Sequence, residues 1–392
     1  MSSELTGMPS GLFRTIPTSK ILGRKSPEKP TTVLDRYVLR ELPKDIRAWN
    51  DHSVSFDELA ARHVPVLEAE RERLIALTDS KQAALAQLDL LMLLGAYLPA
   101  KETAYQHAPA LLLELLERLS VAHKLPPRLT YEFIVDVNVT AFLQSGGNIR
   151  TFSTDPVERD FYLGHYLAEQ HIRRSYEQLH TLLERPNAAD KSIRLQEILT
   201  GLKQFTAYMA AFARLPAESY AYFRRFLVPY PDKIKNASGA FMPTPQLFET
   251  LLHTPGKAQT EYLRRNLRYF PRWAQEKLRL QIDAKEPTLN VQSLLDHNAL
   301  HLDATERELL DAVIEQFVRF KLTHIKVASS KIPEAFPKQP ITTRKDLRTF
   351  QPQLDVHRDG TGTKQGTGGF APQDFLADGV RRLLELQAQL RH

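Results

Sequence analysis

The sequence predicts an all-α protein, and three observations lead to this fold class. Apolar residues recur at intervals of three and four along most of the chain from about residue 33. Helix-start signals, in which a capping side chain precedes an apolar run, occur several times. No convincing run of alternating apolar and polar residues indicates a strand, and the sequence has no fixed-period repeat. We expect a small helical domain at residues 33–140 and a larger one at residues 141–392.

The first elements are an arm and two helices. Residues 1–32 are rich in Ser, Thr, Pro, Gly and Lys, which predicts a flexible N-terminal arm. Ser55 and Glu58 form a predicted capping box, in which each side chain satisfies a free backbone amide of the first helical turn. Pro109 can open the next clear helix, "PALLLELLERL".

The second half of the chain continues with helical signals. Asp155 followed by Pro156 predicts a capped helix start, and the helix can reach about Leu183. Further helices are predicted near 191–213, 217–228, 244–253, 257–268, 271–283, 303–328 and 372–390.

The composition excludes several kinds of site. The 392 residues contain no cysteine, which excludes disulfides, thiolate nucleophiles, cysteine-ligated zinc, iron–sulfur clusters and a thiolate-ligated heme. Any metal or heme iron would depend on the 13 histidines, on carboxylates or on tyrosine. The net charge of +6 comes from 52 basic and 46 acidic residues that are often interleaved. This pattern favours a solvated surface over a nucleic-acid-binding face.

The sequence predicts no membrane span and no secretion signal. The most apolar stretch, "AALAQLDLLMLLGAYL", is interrupted by Gln87 and Asp89. The N-terminus has no continuous hydrophobic signal segment, so we expect a cytoplasmic location without a membrane partner. Composition gives no basis for choosing between a monomer and an oligomer.

A glycine-rich loop at residues 358–371 precedes the last predicted helix, and five of the 16 glycines lie between Gly360 and Gly369. The loop is not a P-loop, because no Gly-Lys-Ser/Thr follows at the required spacing. Composition alone favours a surface linker. The alternative is a lid whose backbone amides, from Gly366 onward, approach an anion or a carboxylate closely.

Two histidines lie on predicted apolar helix faces. His324 lies one turn after Phe320, at the end of an apolar stripe that begins at Leu310. His165 lies within "DFYLGHYLAEQ", beside aromatic residues. A histidine in such a place is usually a hydrogen-bonded core residue, and the alternative is a ligand or acid–base role.

Two adjacent arginines, Arg224 and Arg225, lie among aromatic residues in "SYAYFRRFL". Adjacent helix residues point about 100° apart, so one arginine can face inward while the other faces solvent. An inward guanidinium needs an anion, which is either an internal carboxylate or the carboxylate of a bound substrate.

Several segments resemble, in chain order, the indoleamine 2,3-dioxygenase and tryptophan 2,3-dioxygenase superfamily of all-α heme enzymes. The glycine loop "KQGTGGFAPQDFL" resembles a signature of the indoleamine branch. The other segments are "HKLPPRLTYEFIV", "DFYLGHYLAEQHI", "PAESYAYFRRFL", "NASGAFMPTPQLFETLLH", "YLRRNLRYFPRWAQEKL" and "RFKLTHIKVASSKI". The ordered set covers about residues 40–392, and the chain resembles a divergent indoleamine 2,3-dioxygenase-like member.

The resemblance implies a heme site. His324 takes the position of the proximal ligand to the heme iron. Lys321 takes that of an arginine near a heme propionate, and Glu249 that of an acidic residue that supports the proximal histidine.

The resemblance also implies a substrate pocket. Arg224 takes the position of the carboxylate-binding arginine, and Ser238 that of a loop serine near the heme. Thr367, next to Gly368, takes the position of the loop threonine that contacts the amino-acid end of the substrate. The distal pocket is implied to be lined by Phe161, His165, Tyr131 and Val135.

The chain departs from the family at positions that bear on the substrate. His165 stands where the indoleamine branch has serine, and the tryptophan branch has a pocket histidine that bonds the indole N–H, which implies the same catalytic role for His165. Ser219 and Tyr220 replace a pair of phenylalanines, and Gly239 replaces the alanine of a Ser-Ala-Gly loop. The implied pocket is therefore more polar than the usual indoleamine one.

The implied activity is that of a heme-dependent dioxygenase that uses O2 to open the indole ring of tryptophan or a related indole, giving an N-formylkynurenine-type product. The glycine loop would then be a lid over the substrate. The alternatives are a heme protein of the same fold with different indole chemistry, as in the pyrrolnitrin-biosynthesis branch, a non-catalytic heme protein that binds or senses a ligand, and a helical scaffold without a cofactor.

Overall fold

The chain is all-α over the residues that the computed structural model describes, and this confirms the predicted fold class. The one pair of strands in this part of the chain is β1 (His357–Arg358) and β2 (Lys364–Gln365), which are antiparallel with His357 opposite Gln365. The predicted arm at residues 1–32 and the predicted lid loop at 358–371 lie almost entirely outside the described residues. The described segments are 32–145, 148–227, 230–231, 236–283, 289–331, 357–358, 364–365 and 372–391.

The α-helices are named in chain order. They are α1 (Val33–Arg40), α2 (Leu42–Asn50), α3 (Phe56–Ile75), α4 (Ser80–Gly95), α5 (Ala104–His107), α6 (Ala110–His123), α7 (Asn138–Ser145), α8 (Pro156–Glu184), α9 (Lys191–Ala211), α10 (Ala217–Arg224), α11 (Pro243–Leu252), α12 (Lys257–Asn266), α13 (Arg272–Ile282), α14 (Val291–Asp296), α15 (Ala304–Lys331) and α16 (Pro372–Arg391). A π-helix spans Glu132–Val137, and 3-10 turns span Leu98–Thr103, Phe212–Arg214, Gly239–Phe241 and Leu267–Tyr269.

The structure confirms the side-chain caps from which the starts of α3 and α8 were predicted. Ser55 Oγ accepts the backbone N–H of Glu58 at 3.2 Å, and Glu58 Oε2 accepts that of Ser55 at 2.7 Å. Asp155 Oδ1 accepts the N–H of Val157 at 2.9 Å, and α8 begins at Pro156 as predicted. The helix ends one residue beyond its predicted end.

The described residues form two compact units. Unit 1 comprises those within Met1–Gly164 and Leu215–Ala237. Unit 2 comprises those within His165–Arg214, Ser238–Glu334 and Asp355–His392. The domain division predicted after residue 140 stays a prediction.

Unit 1 buries polar residues of its most apolar helix together with their partners. Asp89 of α4 forms an ion pair with Arg150, and Arg150 also pairs with Asp35. Gln87, on the same helix, donates from Nε2 to Ser120 Oγ at 2.8 Å. These partners explain how polar residues are accommodated in a core helix, because a buried polar group costs free energy unless it is hydrogen-bonded.

Within the described part of the chain, no single helix is both long enough and apolar enough to cross a membrane. The pair Ser80–Gly95 and Leu98–His107, which is bent by 80°, meets the length and composition requirement together. Most residues of α4, the first member of this pair, are buried in unit 1.

Unit 2 is built around the contact between α9 and α15. The ring centroids of Phe205 and Phe320 lie 4.5 Å apart, and Gln316 Nε2 donates to Thr206 Oγ1 at 2.9 Å. The apolar stripe predicted on α15 is a core face, since all of its members are buried: Leu310, Val313, Ile314, Phe317 and Phe320. This face positions His324, which follows it by one turn.

Candidate functional site

An aromatic cluster in unit 1 surrounds the first group of predicted site residues. The ring of Phe161 lies 5.7 Å from that of Tyr220 and 5.2 Å from that of Phe223. Tyr162 completes the cluster, with its ring 5.9 Å from Phe161 and 6.1 Å from Phe223. Helices α8 and α10 supply all four rings, so the cluster fixes the packing of these two helices.

Arg224, the last residue of α10, lies against this cluster. Its guanidinium carbon is 5.5 Å from the centroid of the Tyr220 ring, within cation–π range, and the residue is 6% exposed. Its positive charge also acts on Tyr162, where it opposes part of the rise in pKa that burial of the phenol causes. The structure therefore brings Arg224 and Phe161 together in one cluster.

Both adjacent arginines face inward, although the helical spacing allowed one of them to face solvent. Arg225 is 3% exposed and is as deeply buried as Arg224. The physical reason is that α10 ends at Arg224, and Arg225 reaches a second set of aromatic rings in unit 1. Sequence periodicity on a single helix did not indicate this second set.

Ser219, at a position where the resemblance places a phenylalanine, uses its hydroxyl to hold α10 against α8. Ser219 Oγ donates to Asp155 Oδ2 at 2.5 Å, and the other carboxylate oxygen of Asp155 caps the start of α8. Glu158, one turn further along α8, accepts the Tyr162 hydroxyl at 2.7 Å and the N–H of Ser153 at 2.7 Å. These bonds make the beginning of α8 a rigid support for the aromatic cluster.

Tyr131 and Val135, which the resemblance places in the pocket, are both buried in unit 1. They lie at the N-cap and within the π-helix Glu132–Val137, which leads directly into α7. π-Helical turns are rare and occur frequently at functional sites. No pattern in the sequence predicts this turn.

His165 and the Ser238 loop come together in unit 2. The imidazole of His165 stacks on Phe212, with ring centroids 4.2 Å apart and an interplanar angle of 16°. A β-carbon placed on Gly239 would lie 3.5 Å from His165 Nε2, so this loop passes directly over the histidine. Ser238 is buried, and its carbonyl accepts the N–H of Phe241 at 3.0 Å to form the 3-10 turn.

His324 lies on α15 with its ring 6.0 Å from that of Phe320. Part of its surface remains accessible. Burial of the imidazole, with the positive charge of Lys321 acting in the same direction, lowers the pKa of His324 to about 4. The imidazole is therefore neutral at physiological pH and has a nitrogen lone pair, which is the form that a metal requires.

Lys321 and Glu249 form a buried ion pair one turn before His324. The Lys321 ammonium lies 2.6 Å from Glu249 Oε1, and each side chain is 3% exposed. Burial alone would raise the pKa of Glu249, but Lys321 and the neighbouring His253 lower it to about 2. Glu249 directs its contacts to Lys321 and His253 and not to His324. Its expected support of His324 stays a prediction.

His253 is a third member of this cluster, and it was not among the predicted site residues. Its Nε2 lies 3.5 Å from Glu249 Oε1, and its Nδ1 lies 3.1 Å from the carbonyl oxygen of Thr254. A carbonyl oxygen only accepts, so Nδ1 must donate. The signal available in the sequence was the i, i+4 spacing of Glu249 and His253 on one helix face.

The final helix, α16, closes over the same ion pair through a glycine. A β-carbon on Gly379 would lie 2.3 Å from Lys321 Nζ and 2.5 Å from Glu249 Oε1. Such distances are too short for a real contact, so the close packing of α16 against this ion pair requires glycine at position 379. The fold thereby brings Lys321 and Glu249, both predicted as site residues, into one enclosed cluster.

Two predicted substrate contacts, Thr367 and Gly368, lie outside the described residues. The described residues contain no group of three or more histidine, aspartate or glutamate side chains placed to hold a metal ion by themselves. A heme iron has a smaller requirement, because the porphyrin supplies four nitrogens and the protein needs to supply one axial ligand. The neutral imidazole of His324 fits that requirement.

No protein-family model matches the chain, and no curated protein matches its sequence. The functional interpretation therefore depends on the residues of the site and on the resemblance of the ordered segments.

Proposed function

We propose that the protein is a heme-dependent dioxygenase with the helical arrangement of the indoleamine 2,3-dioxygenases, and that it acts on tryptophan or a related indole. The ordered resemblance over residues 40–392 supports this proposal. The observation that carries it furthest is Arg224, a buried cation set against the rings of Phe161, Tyr220 and Phe223. An aromatic ligand with a carboxylate complements such a site.

The substrate class follows from the chemistry of this cluster. A guanidinium recognises a carboxylate through two parallel N–H donors, and the pairing is strong where water is excluded. Ring faces such as those of Phe161 and Tyr220 favour a flat apolar group. An aromatic amino acid carries both groups, and tryptophan is the member that the resemblance implies.

His324 is the residue that would hold the heme iron. When bound, the heme would supply an iron that activates O2 for insertion across the C2–C3 bond of the indole. Lys321 would lie near a heme propionate, and its ammonium also forms the buried ion pair with Glu249. The protein part of the mechanism is otherwise binding and orientation.

His165 would accept the indole N–H, and this role orients the ring. Its imidazole is held by stacking on Phe212, which restricts the directions in which its nitrogens point. Thr367 and Gly368 would close on the amino-acid end of the substrate and exclude water. A cytoplasmic location, with O2 and a small aromatic molecule as partners and neither a membrane nor a nucleic acid, belongs to the same proposal.

Absorption spectra of the wild type and of His324→Ala test the proposal. The ferric and the ferrous–CO spectra are recorded first, and tryptophan is then added under O2. We expect a Soret band in the wild type that is lost or shifted in His324→Ala, and product absorbance in the kynurenine region only in the wild type. His180→Ala, which removes a partly exposed histidine of α8, is the matched control and should behave as the wild type does.

The outcomes separate the alternatives. A Soret band without product from tryptophan contradicts the dioxygenase proposal for this substrate, and favours other indole chemistry or a ligand-binding role. The absence of a Soret band even after hemin titration, with His324→Ala indistinguishable from the wild type, contradicts heme binding altogether.

A further inference from the structure

Arg225 is a buried cation held by aromatic rings and an amide. Its guanidinium carbon lies 4.6 Å from the ring centroid of Tyr222, 5.0 Å from that of Phe226 and 5.5 Å from that of Trp49. Its Nη2 donates to Asn50 Oδ1. Among the described residues, no carboxylate pairs with Arg225. We call this arrangement the Arg225 cage.

The cage keeps the guanidinium charged and fixes its plane. Burial lowers the pKa of Arg225 to about 10, so the side chain still carries its charge at neutral pH. Ring faces attract a cation, and a planar guanidinium can stack on several of them where a lysine ammonium cannot. Asn50 also donates from its amide to the hydroxyl of Tyr222, so the hydrogen-bond acceptor for Arg225 is itself held in place. Trp49 in turn stacks on Phe56, with centroids 4.9 Å apart.

Helix α10 depends on such anchors for its position. It has eight residues, and Pro216 at its N-cap makes no side-chain capping bond. A helix of this length is marginal in water by itself, so tertiary contacts determine where it lies. Near its start, Ser219 is bonded to Asp155 at 2.5 Å. At its end, the C-cap residue is Arg225.

We propose that Arg225 is a positioning residue for Arg224, which directly precedes it. The cage fixes the last turn of α10 and thereby the place at which Arg224 presents its guanidinium to the substrate carboxylate. This inference rests on the proposed function, because it assigns the carboxylate contact to Arg224. A displacement of about 1 Å at a positioned charged group can cost up to about 100-fold in function. Changes in the cage should therefore weaken recognition of the substrate carboxylate more than they weaken binding of the substrate's aromatic ring.

The test compares two probes on the full-length protein. L-Tryptophan carries the carboxylate, and tryptamine is the same molecule without it. Calorimetry gives the ratio of the two affinities for the wild type, for Arg225→Lys and for Asn50→Ala. Hydrogen exchange of the amides of residues 217–227 is measured in parallel. Arg159→Lys, a conservative change at an exposed arginine of α8, is the matched control.

We expect Arg225→Lys to lower the preference for L-tryptophan over tryptamine by about tenfold, which corresponds to losing roughly one charge-assisted hydrogen bond. Asn50→Ala should shift the preference in the same direction, and exchange should become faster in α10. Arg159→Lys should change neither quantity. If Arg225→Lys does not fold, Tyr222→Phe replaces it, since that variant keeps the ring and removes only the hydroxyl that Asn50 bonds.

Three results would overturn the inference, and they are distinguishable. Faster exchange in α10 with an unchanged affinity ratio would make the cage purely structural. Unchanged exchange would show that the cage does not anchor α10. A wild type that itself has no preference for L-tryptophan would contradict the proposed function on which the inference rests, before any variant is considered.

Discussion

The ammonium of Lys321 and the carboxylate of Glu249 meet at 2.6 Å in an enclosed part of unit 2, where each side chain is 3% exposed. A pair of this kind differs from a surface ion pair. Removing one partner leaves an uncompensated buried charge, whereas removing both is often tolerated. The pair also sets the distance at which α16 can approach, because Gly379 lies directly over it.

Lys321→Met should lower the free energy of unfolding by about 3–5 kcal/mol, because it leaves the Glu249 carboxylate buried without its ammonium partner. The double variant Lys321→Met/Glu249→Leu should be more stable than Lys321→Met alone. Urea unfolding measures these two variants and the single variant Glu249→Leu. Arg319→Met, which breaks an exposed ion pair with Glu315 on the same helix, is the control and should cost at most about 1 kcal/mol. Strict additivity of the two single effects would show that the pair is not coupled.

Gly379→Ala should destabilise the protein by about 1–3 kcal/mol, the usual cost of overpacking. Its β-carbon would lie 2.3 Å from Lys321 Nζ, so either the ion pair or α16 must move. Thermal unfolding checks the effect, with Leu384→Ala at an exposed position of α16 as the control. Equal melting temperatures for Gly379→Ala and the wild type would show that α16 does not press on the pair.

Arg224→Ala should weaken binding of a carboxylate-bearing substrate by about 1.5–3 kcal/mol, the range for a hydrogen bond to a charged group. Calorimetry with L-tryptophan measures the loss. Arg159→Ala removes an exposed arginine of α8 and should bind as the wild type does. An unchanged affinity of Arg224→Ala for L-tryptophan would show that Arg224 does not bind the substrate carboxylate.

His165→Ala should reduce turnover of tryptophan more than turnover of 1-methyltryptophan, which has no indole N–H to donate. The comparison isolates the hydrogen bond, because both substrates lose the same stacking environment next to Phe212. Steady-state rates with the two substrates check it. Equal losses of turnover with the two substrates would show that His165 acts through packing and not through a hydrogen bond to the indole N–H.

The free energy of unfolding should fall as the pH is lowered from about 6.5 towards 3, in part because of His63. Burial, aided by the charge of Arg62, lowers the pKa of His63 from 6.5 to about 3, while Tyr97 Oη lies 2.7 Å from its Nδ1. Within this window the unfolded chain binds a proton that the folded protein does not, so stability rises with pH. Urea midpoints between pH 7 and pH 4 should show a smaller slope for His63→Gln. An identical slope would exclude His63 as the source.

Local features of the fold were predictable from the sequence, and contacts between distant residues were not. Caps such as Asp155 and apolar periodicity act within a few residues, so the predicted start of α8 and the buried stripe of α15 are confirmed. The burial of Arg225 depends on Asn50, which lies 175 positions away in the chain. No periodicity on a single helix contains that information.

The candidate site also combines residues that could be predicted from the sequence with contacts that could not. The resemblance placed Lys321 and Glu249 near the heme as separate residues, and it gave no indication that they pair with each other. His253 was missed although it lies one turn from Glu249, because a lone histidine at a helix end has an ordinary structural role more often than a functional one. The π-helix beside Tyr131 has no distinguishing sequence pattern.

The Arg225 cage has a consequence for the behaviour of the protein in acid. The capping box of α3 depends on the Glu58 carboxylate, whose pKa is lowered by the hydrogen bonds from Ser55, and this carboxylate gains a proton in sufficiently acidic solution. The aromatic rings and the amide that surround Arg225 gain none in the same range. The end of α10 is therefore attached by contacts that do not titrate, and acid should loosen the carboxylate-held parts of unit 1 before it releases this turn.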